Sequence, residues 1–205
     1  NVTTICKPII FALSSTSYTY DGKMKTPSVT VKDSAGNIIP SSNYTVTYAS
    51  GRKNAGTYKV TVTMKGNYTG TKTLTFKINP INISKCAVKL STTSYTYNGS
   101  VKTPSVSVKN ANGTTLTKGT HYTVTYASGR KNAGTYQVTV AMKGNYTGTK
   151  TLTFKINPIS ISKCELALSK TNYTYDGKPK IPSVIVLNHK GTKLTDSSYT
   201  VTYAS

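Results

Sequence analysis

The stretch YTVTYASGRKNAGTYKVTVTMKGNYTGTKTLTFKINPINISKC, Tyr44 to Cys86, returns as Tyr122 to Cys164 with three changes: Gln137 for Lys59, Ala141 for Thr63 and Ser160 for Asn82. Its opening, YTVTYAS, appears a third time at Tyr199–Ser205. A frame of roughly 78 residues therefore governs the chain, longer than the repeat of a solenoid and sufficient for a small domain with its own core. The frame divides the chain into a first copy at 1–80, a second at 81–158 and the opening part of a third at 159–205. Chemistry that works once per protein does not sit in a segment copied nearly verbatim, so whatever the stretch does it does once per copy, or the copies serve as length.

Alternation of period two runs through each copy. In YTVTY, Tyr122, Val124 and Tyr126 share one face; in YQVTVAM, Tyr136, Val138, Val140 and Met142 do; in TLTFKI, Leu152, Phe154 and Ile156 do. Thr and Tyr suit strands, and turn signals such as NANG, SGRKNAG and KGNYTG interrupt the pattern at short intervals. The reading is seven strands per copy, placed in the second at 86–90, 95–97, 105–109, 114–116, 122–127, 135–142 and 149–156. The expected fold class is all-β: tandem immunoglobulin-like antiparallel β-sandwiches forming an elongated rod. Between copies, KINPI at Lys77–Ile81 and Lys155–Ile159 has no Gly and carries a Pro, which predicts a short, semi-rigid joint.

NAGTYKV at Asn54–Val60 and NAGTYQV at Asn132–Val138 have the outline of the entry to strand F of an immunoglobulin domain, with Val where the disulfide Cys stands. Tyr58 and Tyr136 then take the tyrosine-corner role. With ISKC at Ile83–Cys86 and Ile161–Cys164, YTYDG at Tyr18–Gly22, YTYNG at Tyr95–Gly99, and GNYTGT at Gly66 and Gly144, the chain resembles the bacterial immunoglobulin-like repeats of YDG or MBG type. The resemblance implies an extracellular module of Gram-positive surface proteins and adhesins, used as spacer or binding unit, with no shared ligand. The first copy departs from the pattern by reading Cys6-Lys7-Pro8-Ile9 where the others read ISKC.

Each copy holds one Cys and no ligand spacing follows it, so neither a disulfide framework nor a metal site is expected, and Cys86 and Cys164 are read as buried, unpaired thiols. The five acids are Asp21, Asp33, Glu165, Asp176 and Asp196, which leaves the second copy without a carboxylate. That excludes from it cadherin-style calcium sites and paired-carboxylate hydrolysis. His121 and His189 stand in a variable loop, with no triad to be assembled around either. No catalytic residue, cofactor or metal is expected.

Charge remains: 26 Lys and Arg against five acids, a net +21 spread over all three copies. Such a surface favours anionic polymers, either glycans or teichoic acid, without a dedicated nucleic-acid site or membrane insertion. Arg52, Lys53, Lys65, Tyr68, Arg130, Lys131, Lys143 and Tyr146, in the SGRKNAG and KGNYTG loops, are the candidate contacts. In a stacked array those two loops meet across a joint, where an Arg over a Tyr would stiffen it. The function expected is an extracellular stalk of a bacterial surface adhesin that presents a distal domain away from the cell wall. The alternatives are a multivalent binder of anionic polymer and an accessory region of a secreted carbohydrate-active enzyme.

Overall fold

The computed structural model describes residues 8–204, and Cys6 and Lys7 lie outside them. The first copy contains β1 (Ile10–Leu13), β2 (Ser17–Thr19), β3 (Val29–Lys32), β4 (Tyr44–Tyr48), β5 (Gly56–Met64) and β6 (Thr71–Asn79). A two-residue strand, β7 (Ile81–Asn82), opens the second. It continues through β8 (Ala87–Leu90), β9 (Ser94–Thr96), β10 (Val106–Lys109), β11 (Tyr122–Tyr126), β12 (Gly134–Met142), β13 (Tyr146–Thr147) and β14 (Thr149–Asn157). The third holds β15 (Glu165–Leu168) and β16 (Val184–Leu187). The fold is all-β, its only helical segments among the described residues being single 3-10 turns.

Two compact units emerge from these strands. One takes in the described residues up to Thr93 together with Thr103–Ser128 and Tyr136–Phe154; the other comprises Ser94–Lys102, Gly129–Thr135 and the described residues from Lys155 onward.

In the first copy β1 pairs with β3, and β2, β6, β5 and β4 form a second sheet in that order. Alternation puts Val60, Val62 and Met64 of β5 and Phe76 and Ile78 of β6 on one face, where all are buried. Phe11, Val31 and Ile39 close on Val62 and Met64, and Leu13 and Val29 on Val60 and Phe76, so the two sheets share a core. Each fully buried Val, Ile or Phe contributes on the order of 1.5–3 kcal/mol of transfer free energy. Although the first copy lacks the ISKC segment, its first strand forms, as β1.

Two expectations need correction. The fourth strand expected at 114–116 is an isolated bridge, Lys109 to Thr115, because the NANG turn leaves a partner segment too short to continue the ladder. Pairing is also not antiparallel throughout: β2 joins β6 in parallel, Ser17 opposite Lys77, and β9 joins β14 in parallel, Ser94 opposite Lys155. Only Ser14, Ser15 and Thr16 separate β1 from β2. The chain therefore crosses from one sheet to the other without reversing, and meets the last strand running the same way.

Tyrosines hold the frame. The Tyr58 hydroxyl donates to the carbonyls of Gly51 and Asn54, both at 2.8 Å, which is a tyrosine corner. The second Tyr of YTVTY donates to the Pro carbonyl of the preceding loop in every copy: Tyr48 to Pro27 at 2.6 Å, Tyr126 to Pro104 at 2.7 Å and Tyr203 to Pro182 at 2.5 Å.

Cys86 is a buried free thiol whose pKa burial pushes up. Cys164, expected to be buried as well, is half-exposed, at the head of β15, whose four residues are all exposed. Cys86→Val should cost no more than about 1.5 kcal/mol as a near volume-conserving swap, whereas Cys86→Asp should unfold the second copy. Urea denaturation of both variants checks this.

Candidate functional site at the repeat joint

The joint between the first and second copies lies wholly within the first unit. Backbone pairing continues through it: after Pro80, β7 runs parallel to β13, Ile81 opposite Tyr146 and Asn82 opposite Thr147, and the Ile81 N–H donates to the Asn145 carbonyl at 3.0 Å. Asn82 then caps the 3-10 turn Ile83–Lys85, its side chain accepting from Ser84 N at 2.9 Å.

From the first copy's SGRKNAG loop, Ala55 N donates to Asn145 Oδ1 at 2.7 Å, and Asn145 Nδ2 donates to Asn54 Oδ1 at 3.1 Å. The two loops expected to meet do so. The contact is an amide pair and not Arg over Tyr, because Arg52 turns back on its own copy: its guanidinium lies 5.0 Å from the Tyr48 ring and donates to Ala49 O at 3.0 Å. The stiffness attributed to Pro80 therefore has a second source in these hydrogen bonds.

Tyr146 enters the joint edge-on to Tyr20, ring centroids 6.0 Å apart, and to His121, 5.8 Å apart. It is 7% exposed and belongs to the core that also contains Ile83, Cys86, Val108, Leu116 and Tyr122. Its place among the polymer contacts is corrected by that burial, since a ring facing the core offers no face to a sugar. His121 is a loop staple: its Nδ1 accepts from Thr117 N at 2.9 Å, and its carbonyl accepts from Lys143 N at 2.9 Å.

Beside Tyr146 lies a cleft of about 470 Å³, whose lining includes Tyr20, Asp21, Asn110, Asn112 and His121. A hydrogen bond from Lys25 Nζ at 2.5 Å, and a second from Lys23 N, hold the Asp21 carboxyl below its ordinary value of 3.8. In the second copy Asn98 stands in its place and accepts from Lys102 Nζ in the same way. A carboxylate with a depressed folded pKa stabilises above its unfolded pKa, and that contribution is lost as pH falls through the folded one. Titration below pH 3.8 should therefore release Lys25 while leaving the Lys102–Asn98 contact unchanged, which side-chain NMR of the two lysines would resolve.

The remaining candidates fall at separate places. Lys53, Lys65, Lys131 and Lys143 are exposed at loop tips, Arg130 is half-buried, and Tyr68 is half-buried against the core of Val31, Ile39, Val62 and Met64. Among the described residues no three His, Cys, Asp or Glu side chains gather to hold a metal, and no helix is long and apolar enough to cross a membrane. Sequence reading missed Asn54, Ala55, Tyr20 and Asn145 as joint residues. The signal available was that the NAG and GNY segments recur unchanged.

Two solved structures align with the chain. Invasin, a bacterial integrin-binding protein, aligns at 15% identity and a TM-score of 0.36, over 92% of this chain and 48% of its own. The protocadherin gammaB4 extracellular domain aligns at 11% identity and a TM-score of 0.27, over 87% of this chain and 40% of its own. The chain thus spans about half or less of either. No curated protein matches it. The family model of the MBG domain matches twice, at residues 11–82 and 86–160, one match on each side of the hydrogen-bonded joint. The chain belongs to the MBG-domain family, a tandem-repeat family of bacterial surface proteins.

Proposed function

We propose that the chain is the spacer of a bacterial surface adhesin, which holds a distal domain away from the cell wall, with the sequence copies 1–80, 81–158 and 159–205 as its units. The observation that supports this reading most is the joint of the first unit. The linker is not a free tether: it carries a strand pairing, two side-chain amide bonds and a buried Tyr, an arrangement suited to transmitting position along an array. Family membership supports an extracellular surface setting.

The test is exchange of length. In the parent surface protein, deletion of these copies should weaken attachment by the distal domain, and insertion of unrelated sandwich repeats of equal number should restore it. Failure of unrelated repeats to restore attachment would sink the spacer reading.

A second reading, anionic-polymer binding, is favoured by one observation: the second copy carries ten Lys and Arg and no carboxylate, so no side-chain acid within that copy neutralises them. Replacing the exposed Lys53, Lys65, Lys131 and Lys143 with Ser should then weaken binding to a sulfated glycan and flatten its salt dependence. Binding unchanged by that substitution, or insensitive to salt, would remove this reading.

A further inference from the structure

The sequence holds two Asn-Gly pairs, Asn98-Gly99 and Asn112-Gly113, both in the second copy. An Asn followed by Gly is open to attack on its carboxamide by the next backbone nitrogen, because Gly brings no Cβ to hinder the ring that forms. Both Asn side chains are exposed to water. Their turns differ.

Gly113 N donates to Asn110 O at 2.9 Å, so the nitrogen that would attack Asn112 is held in its turn. Gly99 N–H has no acceptor among the described residues. The Asn98 carboxamide oxygen accepts from Lys102 Nζ at 2.5 Å and from Ser100 N at 3.1 Å. These donors draw electrons from Cγ and stand where they stabilise the negative charge the oxygen gains when a nucleophile adds. Lys102 is itself fixed: its backbone N donates to Arg130 O at 3.0 Å, and its ammonium lies 5.6 Å from the Tyr95 ring.

In the other copies the same pair of donors meets a carboxylate. Asp21 accepts from Lys23 N at 2.9 Å and Lys25 Nζ at 2.5 Å, and Asp176 accepts from Lys178 N at 3.0 Å and pairs with Lys180. The Gly99 φ of +75° matches +76° at Gly22 and +73° at Gly177. The second copy's turn is therefore shaped for an acid and carries its amide.

We infer that Asn98 is a self-modification site, converted to aspartate by its own turn. Gly99 N gives up its proton to water and bonds to Asn98 Cγ. The bond from Cγ to the carboxamide nitrogen breaks, and that nitrogen takes up a proton and leaves as ammonia. Water then adds to Cγ of the succinimide, the bond from Cγ to Gly99 N breaks, and a proton returns to Gly99 N. The net change is asparagine and water to aspartate and ammonium. Lys102 faces the Cγ oxygen in both steps, so it also steers water to Cγ and away from the main-chain carbonyl, where addition would leave an isoaspartyl link. The product is the carboxylate–lysine pair of the other copies. This goes beyond the spacer reading and does not depend on it.

The test ages the 205-residue chain at mildly alkaline pH and follows both Asn-Gly sites by peptide mapping that separates aspartyl from isoaspartyl products. In the folded chain Asn98 should convert about tenfold faster than Asn112, and in denaturing urea the two rates should converge. Lys102→Met should slow Asn98 severalfold, raise the isoaspartyl share there and leave Asn112 unchanged. Lys102→Arg, which keeps the charge, should recover most of the rate.

Three results overturn the inference. One is equal conversion of the two sites in the folded chain. Another is a preference for Asn98 that persists in urea, which would make it a property of the local sequence and not of the turn. The last is Lys102→Met with rate and product ratio both unchanged, which would leave the ammonium without a role.

Discussion

Tyr146→Ala is expected to destabilise the second copy by about 3–5 kcal/mol, the range for deleting a buried aromatic side chain. The ring is almost fully enclosed, edge-on to Tyr20 and His121, in the core that contains Leu116 and Tyr122. Its loss leaves a cavity with walls from both sides of the joint, which the surrounding strands fill only in part. The melting midpoint of the cooperative transition should fall by roughly 12 °C or more. The amide of Ile81, bonded to Asn145 O, should lose exchange protection at the same time, because the substitution frees the turn that holds it. Tyr68→Ala, at the equivalent place in the first copy, should cost less, since Tyr68 is half-buried. A loss below about 1 kcal/mol for Tyr146→Ala, with Ile81 protection intact, would show that the ring does not hold the joint.

Phe76→Ala should cost the first copy a similar amount, about 3–5 kcal/mol. Phe76 is 1% exposed and is the meeting point of Tyr18, edge-on at 5.7 Å, and Tyr58, tilted at 5.6 Å. Tyr58→Phe keeps the ring but removes the donor to the exposed Gly51 and Asn54 carbonyls, and should cost about 0.5–1.5 kcal/mol. The two changes share a contact, so the double variant should lose less than the sum of the singles, by roughly 0.5 kcal/mol or more. Urea denaturation of the four proteins measures the cycle. Strict additivity would mean that the corner Tyr is positioned by its hydroxyl alone and not by the ring beneath it.

Much of this was legible in the residues. Alternation placed Val138, Val140, Phe154 and Ile156 on the inward face, where each is at most 1% exposed, because a pleated strand sends successive side chains to opposite sides and only one side meets the second sheet. NAGTY announced the tyrosine corner, since the hydroxyl reaches carbonyls four and seven residues earlier in its own loop. Of the proposed polymer contacts, the lysines are exposed, while Arg52 and Tyr146 are taken up by packing. A loop Arg beside a Tyr reads as charge on a surface until the backbone turn brings it onto Tyr48, five ångströms away.

By itself the sequence determined that the chain is a tandem array, where most of its longer strands run, and that its second copy lacks a carboxylate, because repetition, alternation and composition are local or countable properties. Tertiary structure alone decided that β2 and β9 lie parallel to their partners, that Asn54 and Ala55 and not Arg52 clasp Asn145, and that Tyr146 faces inward. Each of these depends on which segments, 60 to 90 residues apart in the chain, come to lie side by side. Local pattern carries no record of that distance; the packing of whole sheets sets it.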